Sequence, residues 1–257
     1  MTTQVQMKDL LEAGVHFGHQ TRRWNPKMKP FIYGEKNGTH IINLQKTQML
    51  LNQALKVVED VVKRGGNVLF VATKRQAQSI VAEEAKKSQM FYVNHRWLGG
   101  MLTNWSTVKA SITKLKKIEK MSQDGTYESI TKREVVLKEK LREKLERSLG
   151  GIKTMPGLPG VIFVIDAKKE HIGILEANKL NIPVIAVTDT NSDPDNIDYI
   201  IPGNDDSIKA IKLYSSLIGA AALKGLQNRK LETPEDESLV SQDGKSQIKV
   251  KRLKPNS

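Results

Sequence analysis

The sequence predicts an α/β fold, a doubly wound parallel sheet of about five strands interrupted by an inserted antiparallel helical hairpin. Three observations lead there. The runs "NVLFVATK", "GVIFVIDA" and "PVIAVTD" have strand length and apolar stretches without polar alternation, as strands covered on both faces do. Helical stretches separate them, the pattern of a parallel sheet. Midway, from Trp105 to Leu149, strand-type sequence stops and densely charged helical sequence takes over.

In chain order, residues 1–42 form a basic N-terminal arm. Its stretch "HQTRRWNPKMKP" (19–30) contains Pro26 and Pro30, which keep it out of regular helix and predict an extended strip along the surface. Asn43 is placed to cap a helix in which Leu44, Leu51, Ala54, Leu55, Val58, Val61 and Val62 share one face, and Gly65–Gly66 stop it. A strand ("NVLFVATK"), a helix ("RQAQSIVAEEAKKS") and a second strand ("MFYVN") follow. The hairpin occupies residues 104–149. Val108, Ile112, Leu115 and Ile118 line its first helix, Val135, Leu137, Leu141, Leu145 and Leu149 its second, and "SQDGTY" turns between them. Each helix thus has one narrow apolar seam, suited to a single partner helix. Strand-type sequence then resumes with "GVIFVIDA", "PVIAVTD" and "YIIPG", and "KKEHIGILEANKL" supplies a helix between the first two. Residues 205–227 close the fold with a helix whose "IGAAALKG" permits close packing. The α/β domain therefore comprises 43–103 and 150–228. Residues 229–257, acidic first and basic last, have too little apolar surface to offset ordering entropy and predict a disordered tail.

Composition narrows the function. The chain has 257 residues, 39% of them hydrophobic, and its 41 Lys and Arg against 28 Asp and Glu leave a formal charge of +13. Such an excess attracts polyanions, nucleic acid above all. No apolar run approaches the roughly 18–20 residues that span a bilayer, and the first twenty residues lack a signal- or transit-peptide pattern. Cysteine is absent, which excludes disulfides, thiolate metal sites and a cysteine nucleophile, and fits a reducing, cytoplasmic setting.

A doubly wound sheet invites a nucleotide- or phosphate-dependent enzyme as the alternative. The parts that cradle phosphate are missing: the turn after "VLFVAT" carries Lys74 and Arg75 and no glycine-rich loop, and no Gly-x-x-x-x-Gly-Lys-Ser/Thr occurs. "MPGLPG" precedes a strand and does not link one to a helix. Nothing resembles a serine–histidine–acid set. "DTNSDPDNIDY" (189–199) reads either as a turn or as a cation site. His16 and His19, three apart, read as metal ligands or as histidines at the core edge, with no third ligand fixed by spacing. No catalytic residue, cofactor or small-molecule substrate is expected, and a metal is left open.

Two stretches combine cations with flat side chains. In the arm, Arg22, Arg23, Lys27 and Lys29 surround Trp24. In "VNHRWLGGMLTNW" (93–105), His95, Arg96, Asn104 and Trp105 flank Gly99–Gly100, which allow a tight turn into the hairpin. Neither stretch contains a carboxylate. Guanidinium forks match phosphate oxygens, and indole and amide groups stack on or hydrogen-bond exposed bases. Lys74 and Arg75 add cations at a neighbouring strand end. A purely protein-binding scaffold is the remaining reading.

"LLEAGVHFGHQTRRWNPKMKPFIYG", "HIINLQKT", "FVATKR", "VNHRWLGGMLTNW", "LGGIKTMPGLP" and "FVIDAKKEHIGILEANKLNIPVIAVTDTNSDPDNIDYIIPGNDD" strongly resemble the family of bacterial small-subunit ribosomal protein number two, in order, over about residues 7–228. The resemblance implies a flavodoxin-like domain with a coiled-coil hairpin and a structural role in the small (30S) ribosomal subunit during translation. It implies 16S ribosomal RNA as a partner, together with neighbouring ribosomal proteins including the large messenger-binding protein. Carried onto matching positions, it gives Arg22, Arg23, Trp24, Lys27, Lys29, Lys74, Arg75, His95, Arg96, Asn104 and Trp105 as RNA-facing candidates.

Overall fold

The computed structural model describes residues 5–232. A five-stranded parallel sheet forms its centre: β4 (Val68–Val71), β5 (Phe91–Val93), β6 (Val161–Ile165), β7 (Val184–Thr188) and β8 (Tyr199–Pro202), in the spatial order β5-β4-β6-β7-β8. Counted within this sheet the order is second-first-third-fourth-fifth, which is the flavodoxin-like arrangement. Side chains alternate between two cores. Phe70, Phe163, Ile185 and Val187 face one, and Leu69, Val71, Ile162, Val164 and Ala186 face the other. Both faces are covered, which is why these strands read as unbroken apolar runs.

Helices α2 (Leu44–Lys63), α3 (Arg75–Lys87) and α7 (Ile208–Glu232) cover the first face. Asn43 caps α2 as expected, its side-chain oxygen accepting from the Gln45 and Lys46 N–H groups. Helix α7 lies so close on α2 that a Cβ on Gly225 would stand 2.7 Å from the Glu59 carbonyl oxygen. Lys224 and Asn228, on the same helix, hold the two Glu59 carboxylate oxygens at 2.7 and 2.9 Å. Helix α6 (His171–Lys179) covers the second face together with the base of the inserted hairpin.

The hairpin consists of α4 (Trp105–Gln123) and α5 (Lys132–Leu149), which pack on each other. Gly125 turns the chain at φ +74°, and Thr131 with Glu134 forms a capping box that starts α5. Ile112, Leu115, Ile118 and Leu149 are buried in the seam, with Val108, Val135, Leu141 and Leu145 half-buried. Leu137 departs from the expected seam and is 60% exposed. It follows Val135 by two residues, about 200° around the helix, so both cannot face α4.

The arm also departs from expectation. It holds α1 (Met7–Glu12) and a second, antiparallel sheet of β1 (Phe17–Gln20), β2 (Ile32–Lys36) and β3 (Thr39–Ile42), in the order β1-β3-β2. Asn37 and Gly38 join β2 to β3 at φ +52° and +72°, the positive values that a type I′ hairpin turn requires. The proline-bearing strip between β1 and β2 is not extended. It forms 3₁₀ turns at Thr21–Arg23 and Pro26–Phe31, Pro26 taking the first position, where no N–H is needed. Helix α7 runs past residue 228 to Glu232, so 229–232 are helical; the rest of the expected tail lies outside the described residues.

Gly225→Ala is expected to destabilise the protein by about 1–3 kcal/mol through overpacking against Glu59 and Val62. Gly157→Ala, where an added Cβ meets nothing within 4 Å, is expected to stay within about 0.5 kcal/mol. Urea unfolding of the two variants measures both.

Candidate nucleic-acid interface

Because the five strands are parallel, the segments that follow them emerge at one edge of the sheet. Lys74 and Arg75 follow β4, His95 and Arg96 follow β5, Asp166 to Glu170 follow β6, Asp189 to Asn191 follow β7, and Asp205 and Asp206 follow β8. The arm is stitched to this edge. The Asn25 N–H donates to the Thr190 carbonyl at 2.7 Å. The His19 N–H reaches Asp189 Oδ1 and Thr190 Oγ1, and its ring Nδ1 lies 2.9 Å from Asp189 Oδ2.

Acidic groups dominate the inner rim. Asp189 and Asp205 are each 1% exposed. Burial pushes the Asp205 carboxyl up to about 7, the nearby Asp166 and Asp189 add to that, and Lys74 opposes it. The Lys74 Nζ stands 2.7 Å from Asp205 and 3.7 Å from Asp166, and also contacts Asp206. Burial alone would lower the Lys74 ammonium; the hydrogen bond to Asp205 and the surrounding carboxylates outweigh it and hold it well above its ordinary value. The hydrogen bond to Asp189 raises the His19 pKa against the opposing effect of burial.

His19, Asp189 and Asp206 bring one ligand atom each within 4.8 Å of one another, a donor set of one imidazole and two carboxylates that suits a divalent cation. The two acids that complete a group with His19 lie far along the chain, where spacing could not reveal them. His16 stands apart, its Nδ1 buried with no hydrogen-bond partner among the described residues. Within the segment 189–199 Asp193 accepts the Asp195 N–H in a local turn and Asp198 accepts the Val184 N–H, while Asp189 belongs to the donor set with His19.

At the switch point between β4 and β6, where flavodoxin-like sheets receive ligands, the protein supplies its own anion. Glu170, 3% exposed, accepts from the Thr73 N–H at 2.9 Å and from the Thr73 hydroxyl, and Lys169 donates to the Thr73 carbonyl. Burial raises the Glu170 carboxyl despite these bonds.

The candidate residues divide into two groups. Arg22, Arg23, Lys29, Arg75, His95 and Arg96 are exposed and make no ion pair or side-chain hydrogen bond among the described residues. Trp24 is 37% exposed, with its ring 5.2 Å from that of His40. Lys74 departs from the expectation of a free cation, being held by three carboxylates. Lys27 is likewise engaged, with Asp193 at 2.9 Å and with Asp195. Trp105 is half-buried against the second core, and Asn104 is exposed at the start of α4 with its side-chain oxygen accepting from the Thr107 hydroxyl.

Glu176 organises the connector, a role the sequence did not reveal. Its carboxylate, on the buried face of α6, accepts from Trp97 Nε1 at 2.9 Å, from the N–H groups of Gly100, Leu102 and Thr103, and from the Thr103 hydroxyl. Burial would raise this carboxyl, but the bonds from Trp97, Leu102, Thr103 and Gly100 together bring it below its usual range. With Gly100 at φ +82° and Trp97 packed on Gly173, the loop turns its indole inward and leaves His95 and Arg96 outside. A lone acid between Gly173 and Ala177, both on the buried face, was the available signal.

Both helices of the hairpin are net positive. Helix α4 carries five lysines and one acid, Glu119, which is taken by Lys153 at 2.6 Å, whereas α5 carries seven cations and four acids. Lys153 also reaches Glu146, bridging the two helices.

Glu176→Gln is expected to cost about 3 kcal/mol, because a charged acceptor of several buried donors is removed. Amide exchange at Gly100, Leu102 and Thr103 should accelerate in that variant; unchanged protection there would remove Glu176 from its organising role.

The family model described as "Ribosomal protein S2" matches residues 10–225. The "Small ribosomal subunit protein uS2" of Shewanella baltica strain OS155 is 58% identical over 223 residues, 87% of this chain and 92% of that protein. The protein of the same name from Geotalea uraniireducens strain Rf4 is 58% identical over 234 residues, 91% of each chain. The match takes in both halves of the parallel sheet, the inserted hairpin and most of the arm, and the chain belongs to the ribosomal protein S2 family.

Proposed function

We propose that this chain is a structural constituent of the small ribosomal subunit in the cytoplasm, where it binds 16S ribosomal RNA and neighbouring ribosomal proteins and catalyses no reaction. The observation behind this reading is the set of five cations, Arg22, Arg23, Lys29, Arg75 and Arg96, that stand exposed with His95 on the arm and beside the strand ends, without a carboxylate partner among the described residues. Lys27 and Lys74 are left out as direct contacts, since their charges are already neutralised. Trp24 offers a flat surface within the same strip. The lysine-rich side of α4 extends the basic surface, and the second helix offers mixed charge and exposed Val136 and Leu137 to proteins, among them the large messenger-binding protein. The chain is thus a clamp, with residues 43–103 and 150–228 as the platform and 1–42 and 104–149 as its two grips.

Arg22→Ala combined with Arg23→Ala is expected to lower the salt slope of RNA binding by roughly two units, about 0.9 for each duplex phosphate that is no longer neutralised, and to weaken co-sedimentation with small subunits. An unchanged slope and unchanged incorporation would strike both residues from the interface.

For the nucleotide-enzyme alternative, a ligand at about 100 times its dissociation constant would stabilise the fold by about 2.7 kcal/mol. No such rise in melting temperature is expected with nucleoside triphosphates or sugar phosphates, because Glu170 already takes the switch-point N–H of Thr73.

A further inference from the structure

We propose that the groove between the arm and the ends of β6 and β7 is a pocket for a single unstacked nucleotide of an RNA strand. The proposal rests on the RNA-binding reading above and adds the place where a base, as distinct from a phosphate, is held. The groove has a volume of about 630 Å³, within the roughly 300–1,000 Å³ of small-ligand clefts. The arm forms one wall with Arg23, Trp24 and Asn25, and Lys168 after β6 and Asn191 after β7 form the other. The Asn25–Thr190 backbone bond holds these walls together.

Each part matches one part of a nucleotide. The Trp24 ring, braced by His40, is a stacking platform. Asn25 and Asn191 use their side-chain oxygens locally, accepting from the Lys27 N–H and the Ser192 hydroxyl, and each keeps an amide NH₂ group for the acceptors on a base edge. Arg23 and Lys168 are exposed cations without an ion-pair partner among the described residues, available to the flanking phosphates. No acidic side chain lines this groove. The adjoining groove, which shares Asn25, Lys168 and Asn191, has Asp193 and Asp195 in its lining. Their charge disfavours phosphate on that side and directs the backbone toward Arg22 and Arg23. A paired base, stacked on both faces within a helix, offers neither a free face nor a free Watson–Crick edge to these groups. A bulged or looped-out nucleotide offers both.

The test uses the full chain and two labelled RNA probes, a short duplex with one bulged nucleotide and the same duplex fully paired, with fluorescence anisotropy as the readout. The native protein is expected to prefer the bulged duplex. Trp24→Ala should weaken binding of the bulged RNA roughly 5- to 150-fold, the range for loss of one base–aromatic stack, and leave the paired duplex unchanged. Trp24→Phe, which keeps an aromatic face, should restore most of the affinity, and a matched thermal melt checks that both variants fold. Arg22→Ala should weaken both probes alike. If Trp24→Ala weakens both probes equally, or neither, while Arg22→Ala still weakens both, the pocket falls and the RNA-binding reading stands. If the native protein binds neither probe, that reading falls and the pocket with it. Adenosine monophosphate bound as tightly as the bulged RNA would also overturn the proposal, since the groove would then serve a free nucleotide. An acidic peptide that displaces no RNA yet depends on Trp24 would overturn it in favour of a protein side chain.

Discussion

Two buried aspartates and the side chains that reach them hold this molecule's arm to its sheet. Asp189 and Asp205 lie almost fully buried at the ends of adjacent parallel strands, and a buried carboxylate needs a cation, a proton or a set of hydrogen-bond donors. Among the described residues, the cationic side chains that reach them are His19 and Lys74. Lys74 belongs to the sheet, but His19 belongs to the arm. Satisfying the rim of the sheet therefore docks the arm, and the residues just after His19 are carried to fixed places. Lys27 repeats this on a smaller scale at Asp193 and Asp195. The basic strip reaches the strand ends because acids inside the protein draw it there.

Glu176 applies the same logic to the connector between the second strand and the hairpin. One carboxylate collects donors from four residues of a glycine-containing loop, so the loop has a defined shape without regular structure. Asp189, Asp205 and Glu176 are buried, while Arg22, Arg23, Arg75 and Arg96 are exposed without an ion-pair partner among the described residues. These arginines are part of a whole-chain formal charge of +13, an excess that attracts polyanions.

The parallel sheet was legible because strands buried on both faces exclude polar residues, and the resulting apolar runs are unmistakable. Asn43 and the capping of α2 were legible because the chemistry is local. The arm's own sheet was not. "FGHQ", "IYGEK" and "THII" are short and half-exposed, with bulges that break their alternation. The Asn37–Gly38 turn signal was present, yet the prolines before it suggested an extended strip. The site was legible in composition and hidden in pairing. Nothing local to Lys27 or Lys74 announces carboxylate partners 166 and 131 residues away, so engaged and free cations looked alike. The seam of the second hairpin helix failed at Leu137 for a simpler reason, a two-residue step in a structure that turns by about 100° per residue.

The charge of the hairpin has a kinetic consequence under the proposed function. Five lysines against one acid on α4 and seven cations against four acids on α5 leave both helices net positive. In the field of a polyanion such a body is drawn in before any atom touches, which speeds encounter most at low ionic strength.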